Sequence, residues 1–519
     1  MGSLAATSRR VSVLFSFTGF NVLLLALCAA TALLFLVQAA GYLPVRGDNS
    51  YPEAAAALSA QRWAQGLPLY ENYRQPPYLV TAFPPLWYAL LSVPARLGYA
   101  NLDSVTLFGR LLNLAALFGV AGLGFVWGRQ MGRPVLIALL TPALYLSFPI
   151  LIPWAVTVRP DFPSLFFALL ALCLAGYRPS MPWVILAGLA ASLAFLIRHN
   201  AVAVPVAVVL WMVWTGRWKH AVTFCLTWGV VVAATLYVFN SSSHGMLLVN
   251  LSGAKFGRLA VTYSRDSLLR LLVSPGHGYA LVLFILGALG FLYSWRDTDL
   301  RNRMVGIYAV VSLGLALFGS AAAGGDVNHY LEPALAMALL APTGLARLRA
   351  SWPEDSPLAA FAAICMVVLL LPSIDVQRWK AMHERPEDLR GFLPLVTERS
   401  VLTDVPFLAA RMQSPQATDL ASLSYAVRSG GWSSAGLVNL VMQKKYESVI
   451  LSEAVNTAYD PAALYPRYPH LDPALRKAVM ENYGLCFELG RYFVYGPNRS
   501  DGTAANLKCP ALVEGVAQR

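Results

Sequence analysis

The sequence predicts an all-α polytopic membrane protein followed by a small mixed α/β domain. The chain has 519 residues, of which 57% are hydrophobic and 13% are charged. That charged fraction is about half of what soluble domains carry. The chain also contains many apolar runs of membrane length. These runs lack the polar and apolar alternation of a membrane β-barrel, so we expect the spans to be helices.

About eleven spans are predicted, several of them shorter than the roughly 20 residues of an ideal span. The first is too long for the apolar core of a signal peptide, which covers about 7–15 residues. The proline-interrupted segment 84–97 is too short for a span, and we expect it to lie at the membrane surface. The candidate spans are residues 13–40, 106–128, 134–152, 162–177, 183–197, 201–215, 221–239, 279–294, 304–323, 330–346 and 357–373.

Basic residues in the short loops predict the orientation, because such loops usually face the cytoplasm. With Arg9 and Arg10 inside, every predicted inner loop carries an arginine. This orientation predicts an integral membrane protein with a cytoplasmic N-terminus and an external C-terminus. The net charge of +12 then reflects loops beside anionic membrane lipid, and no nucleic acid partner is expected.

The expected organisation is a transmembrane domain over residues 1–373 and an external α/β domain over residues 374–519. The first external loop covers residues 41–97 and includes surface helices, and residues 240–278 form an external basic loop. Most acidic residues that precede the tail fall on the outer side. We therefore expect an extracytoplasmic function.

The tail has local signals of both strands and helices. Asp472-Pro473 is typical of a helix start, with aspartate as the N-cap. Cys486 and Cys509 lie in this polar tail and could form a disulfide in an oxidising compartment. The predicted strands are residues 400–403, 448–451 and 486–495, the last a hairpin through Gly490, and the predicted helices are residues 386–397, 433–444 and 472–483.

Asp48 directly follows the first span. It could be an ordinary turn residue, because Gly-Asp-Asn-Ser is common turn chemistry. It could also be a general base, since a carboxylate at the water–lipid boundary can have a raised pKa. Glu53 lies near a helix start, where an acid favours the helix dipole. Alternatively, it orients an acceptor or holds a divalent cation beside Asp48, although two carboxylates alone do not require a metal.

Two polar motifs lie at the ends of predicted spans on the outer side. Arg159 and Asp161 flank a proline before one span, where capping and interfacial placement would explain them without a ligand. Arg198 and His199 interrupt an apolar stretch on the side where arginine is disfavoured, which makes a binding role more attractive. In the functional alternative, Arg159 faces a phosphate and Asp161 faces sugar hydroxyls.

Two further outer segments are candidates for binding. The 240–278 loop is basic, with Lys255 and Arg258 among its cations, and suits a lipid-linked phosphate or pyrophosphate. Part of the excess of basic residues in this loop is uninformative, because long loops follow the preference of basic residues for the cytoplasmic side less strictly. Residues 324–333 read GGDVNHYLEP and form a candidate sugar- or phosphate-binding rim, with Asn328, His329, Tyr330 and Glu332 as its binding residues.

In their order and shared side, these motifs resemble those of the GT-C glycosyltransferases. More narrowly, they look like the bacterial branch related to dolichyl-phosphate-mannose protein mannosyltransferases and to the lipid A aminoarabinose transferase (family 39/83-like). The likeness covers most of residues 10–350. It is carried by Asp48, Gly66-Leu67-Pro68-Leu69-Tyr70, Phe83-Pro84-Pro85-Leu86, Arg110-Leu111, Arg159-Pro160-Asp161 and Asn328-His329-Tyr330-Leu331-Glu332-Pro333.

The resemblance to a bacterial branch implies a protein of the bacterial cytoplasmic (inner) membrane. It also implies a polyprenyl-phosphate sugar donor and a glycan, lipid or protein acceptor on the outer face of that membrane. It implies that Asp48 is the base and that a hexose or pentose is transferred with inversion. The chain departs from the family at Asn49, where many relatives have a second acid, and Glu53 is the next acid along the chain. No organic cofactor is implied, and a divalent cation stays open.

Two rival functions are compatible with parts of the sequence. An O-antigen ligase or polymerase that uses a polyprenyl-pyrophosphate glycan would have a large, late outer loop, which residues 240–278 partly match. A lipid-linked sugar flippase or transporter would usually show inverted repeats and helices broken at mid-membrane. Neither feature is apparent, and the charged motifs lie at span ends. We therefore favour the transferase.

Overall fold

The structure is a computed structural model, and it is predominantly helical. It describes residues 17–49, 53–76, 78–148, 150–178, 180–253, 261–273, 278–321, 327–351, 389–397, 399–412, 420–428, 430–456, 471–498 and 509. Its helices before the C-terminal part are α1 (Phe17–Tyr42), α2 (Glu53–Ala64), α3 (Pro85–Leu91), α4 (Val93–Arg96), α5 (Leu102–Gln130), α6 (Val135–Ala138), α7 (Leu140–Leu146), α8 (Leu151–Ala155), α9 (Asp161–Tyr177), α10 (Met181–Ile197), α11 (Ala203–Trp214), α12 (Trp218–Ser242), α13 (Met246–Gly253), α14 (Val261–Val273), α15 (Gly278–Ser294), α16 (Leu300–Ser320) and α17 (Leu331–Ser351).

Four of the described helices are long and apolar enough to cross a membrane: Val22–Tyr42 within α1, and α5, α12 and α16. Shorter apolar helices accompany them. This agrees with the predicted helical membrane architecture, whereas the total of about eleven spans stays a prediction. The last predicted span, residues 357–373, lies outside the described residues.

Small residues let the apolar helices pack closely, as is common between membrane helices. At Gly287 in α15, an added Cβ would lie 2.8 Å from the Met337 Cα of α17. The main apolar core runs through α5, α9, α10, α11, α15, α16 and α17. The polar loops at the ends of these helices are therefore held by a close-packed scaffold.

Two segments that are predicted to lie between spans contain helices. The surface helix expected over residues 84–97 is two short helices, α3 and α4. In the described part of the 240–278 loop, α12 runs on to Ser242, and α13 and α14 follow. Asn250 of α13 contacts the first external loop. Its side-chain amide accepts the Thr81 N–H at 2.9 Å and donates to the Glu71 carbonyl at 2.8 Å. These bonds tie α13 to the first external loop.

The C-terminal part contains a four-stranded sheet with short helices. Its strand order is β1-β2-β4-β3, in which β1 and β2 are parallel and the other neighbours are antiparallel. The hairpin turns at Gly490, whose φ of 61° suits glycine. These elements are α18 (Leu393–Thr397), β1 (Val401–Thr403), α19 (Pro406–Ala409), α20 (Leu420–Arg428), α21 (Ala435–Met442), β2 (Ser448–Leu451), α22 (Pro473–Asn482), β3 (Tyr483–Leu489) and β4 (Tyr492–Pro497).

Local signals in this part match the structure closely. Asp472 caps α22 by accepting the N–H groups of Ala474 and Leu475 at 3.0 and 3.3 Å. Cys486 on β3 is joined to Cys509 by a disulfide, with their Cα atoms 5.6 Å apart. The bridge ties Cys509 to the sheet.

Candidate active site

Asp48 lies between α1 and α2 and joins two distant parts of the chain. Its Oδ1 accepts the Ala54 N–H at 2.9 Å, and its Oδ2 accepts the Phe407 N–H at 2.6 Å. The side chain keeps partial exposure to solvent. Desolvation by burial and the negative charge of Glu53 raise the Asp48 pKa to about 7, against the opposing effect of the two N–H groups and Arg110. Asp48 can therefore take up a proton near neutral pH.

Glu53 is buried at the start of α2 and is saturated with hydrogen-bond donors. Arg110 of α5 donates to Oε1 through Nε at 2.7 Å and to Oε2 through Nη2 at 2.8 Å. The backbone N–H groups of Asn49 and Val158 each donate at 2.8 Å. The Glu53 carboxylate thus fixes the protein around Asp48, and its substrate-binding role stays a prediction.

Arg110 also shapes the turn that precedes Asp48. Its Nη1 donates to the Val45 carbonyl at 2.6 Å, and its Nη2 donates to the Gly47 carbonyl at 2.7 Å. Asn49 adds a bridge, because its Nδ2 donates to the Val156 carbonyl at 2.8 Å. The Asp48 turn is therefore attached to α5 and to the segment that leads into α9.

That segment carries Arg159 and Asp161. Asn113 of α5 forms two hydrogen bonds with this segment. Its Nδ2 donates to the Thr157 carbonyl at 3.0 Å, and its Oδ1 accepts the Phe162 N–H at 3.3 Å. The Arg159 guanidinium lies 4.2 Å from the centre of the Trp154 ring. Since the Val158 N–H donates to Glu53, the segment that carries Arg159 and Asp161 is attached to the region around Asp48.

Four more predicted residues meet at Asp161. Arg198 forms an ion pair with Asp161, with Nη1 3.0 Å from Oδ1, and Asn328 donates to the same oxygen at 3.1 Å. His329 interacts electrostatically with Asp161, and Glu332 interacts with Arg198. The cluster of Arg159, Asp161, Arg198, Asn328, His329 and Glu332, which we call the Asp161 cluster, thus combines cations with sugar-compatible hydrogen-bonding groups.

The remaining predicted binding residues lie elsewhere or outside the described chain. Tyr330 is fully buried, and its hydroxyl lies 3.3 Å from both the Ser320 hydroxyl and the Ser264 carbonyl, so it packs within the helices. His199 follows Arg198 and is half-buried. Lys255 and Arg258 fall outside the described residues.

A divalent cation does not fit the carboxylates beside Asp48 as they are arranged. Glu53 is neutralised by Arg110 and accepts four hydrogen bonds. Among the described residues, no three His, Cys, Asp or Glu side chains converge as a metal site would require. No step at this site is therefore assigned to a metal.

Three groups of the site were not predicted as such from the sequence: Arg110, Asn113 and the Phe407 N–H. Arg110 and Asn113 carried a usable signal, because polar residues three apart in an apolar helix usually face a protein partner. The Phe407 N–H carried none, since any residue except proline has this group.

Comparison with solved structures gives the fold. The crystal structure of ArnT, the lipid A aminoarabinose transferase, from Cupriavidus metallidurans in the apo state matches with a TM-score of 0.58 at 16% identity, covering 92% of this chain and 98% of that chain. The same protein bound to undecaprenyl phosphate matches with a TM-score of 0.56 at 14% identity, over 93% and 99%.

An Archaeoglobus fulgidus oligosaccharyltransferase in complex with Zn and sulfate matches with a TM-score of 0.52 at 12% identity, over 91% of this chain and 73% of that chain. No protein-family model and no curated protein matches the sequence. The structural matches confirm the resemblance inferred from the motifs at the level of the fold. The chain therefore shares its fold with ArnT and with this oligosaccharyltransferase.

Proposed function

We propose that this protein is a membrane glycosyltransferase that moves a sugar from a polyprenyl-phosphate donor to an acceptor hydroxyl. One observation carries the proposal: Asp48, with its pKa raised to about 7, lies in a turn that is hydrogen-bonded through Asn49 and Glu53 to the segment that leads into the Asp161 cluster. A GT-C fold supports it, and one structural neighbour was solved with undecaprenyl phosphate. The acceptor is a glycan, a lipid or a protein.

In the proposed reaction, the Asp48 carboxylate takes the proton of the acceptor hydroxyl. The acceptor oxygen then attacks the anomeric carbon, and the bond from that carbon to the phosphate oxygen breaks. Polyprenyl phosphate leaves with the bonding electrons, while the proton stays on Asp48. A single displacement of this kind inverts the anomeric centre of the transferred hexose or pentose.

The Asp161 cluster would receive the donor. Arg159 and Arg198 are suited to the phosphate, whose charge increases as the leaving group departs. Asn328, His329 and Glu332 can exchange hydrogen bonds with sugar hydroxyls. Glu53 would position the residues around Asp48 and would not contact the donor, because its carboxylate is already hydrogen-bonded to Arg110 and to two backbone N–H groups.

The membrane arrangement is part of the proposal. About eleven spans would place the N-terminus in the cytoplasm of a bacterial cell, with residues 374–519 and the site on the outer face of the inner membrane. Lys255 and Arg258 would lie on that face and could meet the lipid phosphate. Labelling of single cysteines from either side of the membrane would test this topology.

Transfer by the purified protein tests the function. Full-length protein is incubated with labelled polyprenyl-phosphate sugars and with an extract of envelope glycans and lipids, and the labelled product is identified. We expect transfer with the wild type and none with Asp48→Asn. Glu71→Gln is the matched control, since Glu71 lies in the same loop but pairs with Arg62.

Other outcomes would favour the rivals. Transfer from pyrophosphate-linked glycans alone would indicate a ligase or polymerase. Movement of a lipid-linked sugar across vesicles without a new glycosidic bond would indicate a flippase. Full activity of a correctly folded Asp48→Asn protein would exclude Asp48 as the base.

A further inference from the structure

The C-terminal part contacts the Asp48 carboxylate directly. Phe407, at the start of α19, donates its N–H to Asp48 Oδ2 at 2.6 Å, although the two residues are 359 positions apart. Ala54, at the start of α2, donates to the other oxygen. Both carboxylate oxygens are thus held by first-turn N–H groups, which have no partner within their own helices.

The packing around this contact is apolar and continuous. Ala54 of α2 is buried in one cluster with Val405, Phe407, Leu408 and Ala409 of the C-terminal part. A second backbone bond, from the Leu389 N–H to the Arg46 carbonyl at 2.9 Å, ties the same two regions together. The C-terminal part is therefore seated on the first external loop.

Arg411 fixes α19 in this position. Its Nη1 donates to the Phe407 carbonyl at 3.0 Å, and its guanidinium lies 3.6 Å from the centre of the Phe407 ring. Its Nη2 pairs with Asp103 in the first turn of α5. The Arg411 side chain is only 13% exposed. Phe407 is thereby clamped to α5, the helix whose Arg110 shapes the turn before Asp48.

We propose that residues 405–411 complete the Asp48 site, with Arg411 as the positioning residue that holds the Phe407 N–H against the Asp48 carboxylate. The inference rests on the proposed function only in taking Asp48 to be the base. It extends the active site beyond the membrane domain to the C-terminal part, which would otherwise be a cover or an acceptor-binding unit.

The charges around Asp48 give the expected effect of losing Arg411. Glu53 disfavours the ionised carboxylate, whereas Arg110 and the two N–H donors favour it. Arg411 also interacts electrostatically with Asp48. Removing Arg411 takes away a nearby cation and loosens the Phe407 donor, and both changes disfavour the ionised form. The titration of Asp48 should therefore move to higher pH.

The test measures this titration without requiring turnover. Full-length protein in detergent is treated with a water-soluble carbodiimide, which reacts with protonated carboxyl groups, at a series of pH values. Mass spectrometry then quantifies modification of Asp48. In the wild type the modification should fall with a midpoint near pH 7. In Arg411→Gln we expect the midpoint to rise by about one pH unit, the scale of one charge-assisted hydrogen bond.

Two further variants keep the test decisive. Arg411→Lys retains the charge but loses the planar contact with Phe407, and we expect a smaller rise. Arg178→Gln removes an arginine at the far end of α9, and its midpoint should equal that of the wild type. An unchanged midpoint in folded Arg411→Gln, or in Arg411→Lys if the glutamine variant does not fold, would overturn the inference. No transfer by the wild-type protein would instead overturn the proposed function, and full transfer by folded Asp48→Asn would exclude Asp48 as the base, so these failures are distinguishable.

Discussion

Arg110 and Glu53 form an ion pair in which both side chains are almost completely shielded from water, at 1% and 0% exposure. Nε and Nη2 of Arg110 donate to separate carboxylate oxygens at 2.7 and 2.8 Å. Removing two charges from water is costly, so such a pair persists only when further hydrogen bonds satisfy both partners. Here the loop carbonyls and the Asn49 and Val158 N–H groups supply them.

Loss of one partner should therefore destabilise the protein strongly. In Glu53→Gln, Arg110 would remain as a buried cation without a counter-charge. We expect a loss of about 3–5 kcal/mol in the free energy of unfolding of this region. Thermal unfolding in detergent, followed by circular dichroism, would report it as a lower Tm.

The control for this change is a more exposed pair in the same loop. Arg62 and Glu71 lie 2.8 Å apart with side chains 21% and 26% exposed. Arg62→Gln should cost at most about 1 kcal/mol, because solvent screens this pair. Equal Tm losses in Arg62→Gln and Glu53→Gln would contradict a special role for the buried pair.

The raised pKa of Asp48 predicts how activity depends on pH. A general base works in its ionised form, so kcat/KM should rise with pH and reach half of its plateau near pH 7. Below about pH 6 the rate should fall roughly tenfold per pH unit. Initial rates between pH 5 and 9 would show this limb, and a flat profile would argue against Asp48 as the titrating base.

The same pKa predicts an opposite trend in stability. The pKa of Asp48 in the fold, about 7, exceeds its ordinary value of 3.8, so the folded protein binds this proton more tightly. The resulting stabilisation is full below about pH 4 and is lost as the pH rises through about 7. Asp48→Asn cannot titrate here. The Tm of the wild type relative to Asp48→Asn should therefore decrease from pH 5 to pH 8.

The candidate site was partly predictable because its signals are local. A charged or polar residue at the end of an apolar run can be recognised in the sequence. Four candidate residues were identified in this way: Asp48, Arg159, Asp161 and Arg198. The sequence predicted that Asp161 and Asn328 lie on the same side of the membrane, but it did not predict their contact. The hydrogen bond between them depends on how α9 and the turn before α17 pack together.

The rest of the site depends on contacts that leave no local trace. Glu53 was predicted as a possible partner of the substrate, yet its four bonds come from Arg110, Asn49 and Val158 in three separate segments. In contrast, the Asp472-Pro473 cap was predicted correctly, because an N-cap involves only its own helix. An interaction within one helix could thus be predicted from the sequence. The partners that Glu53 has in other segments of the chain could not.

Arg159 should contribute to donor binding. If its guanidinium meets the lipid phosphate, Arg159→Gln removes charge-assisted hydrogen bonds worth about 1.5–3 kcal/mol. We expect the KM for the polyprenyl-phosphate donor to rise by about 10- to 100-fold. Initial rates at varied donor concentration would measure this change.

Arg178→Gln is the matched control for Arg159. Arg178 lies just beyond the other end of α9 and is exposed, with its guanidinium 5.3 Å from the centre of the Tyr177 ring. It is a helix length from the proposed donor site, so its replacement should leave the donor KM unchanged. Equal KM values for Arg159→Gln and the wild type would remove Arg159 from the donor site.

The disulfide between Cys486 and Cys509 should stabilise the C-terminal sheet. The bridge closes a segment with a sequence separation of 23, and a cross-link of that size restricts the unfolded chain by about 3 kcal/mol. Cys486→Ala together with Cys509→Ala should lower the Tm of this part, and reductant should lower the wild-type Tm to a similar value. A non-reducing peptide map should show the two cysteine peptides linked. Because β3 pairs with β4, which pairs in turn with β2, loosening this edge would weaken the sheet that supports α19 and hence its contact with Asp48.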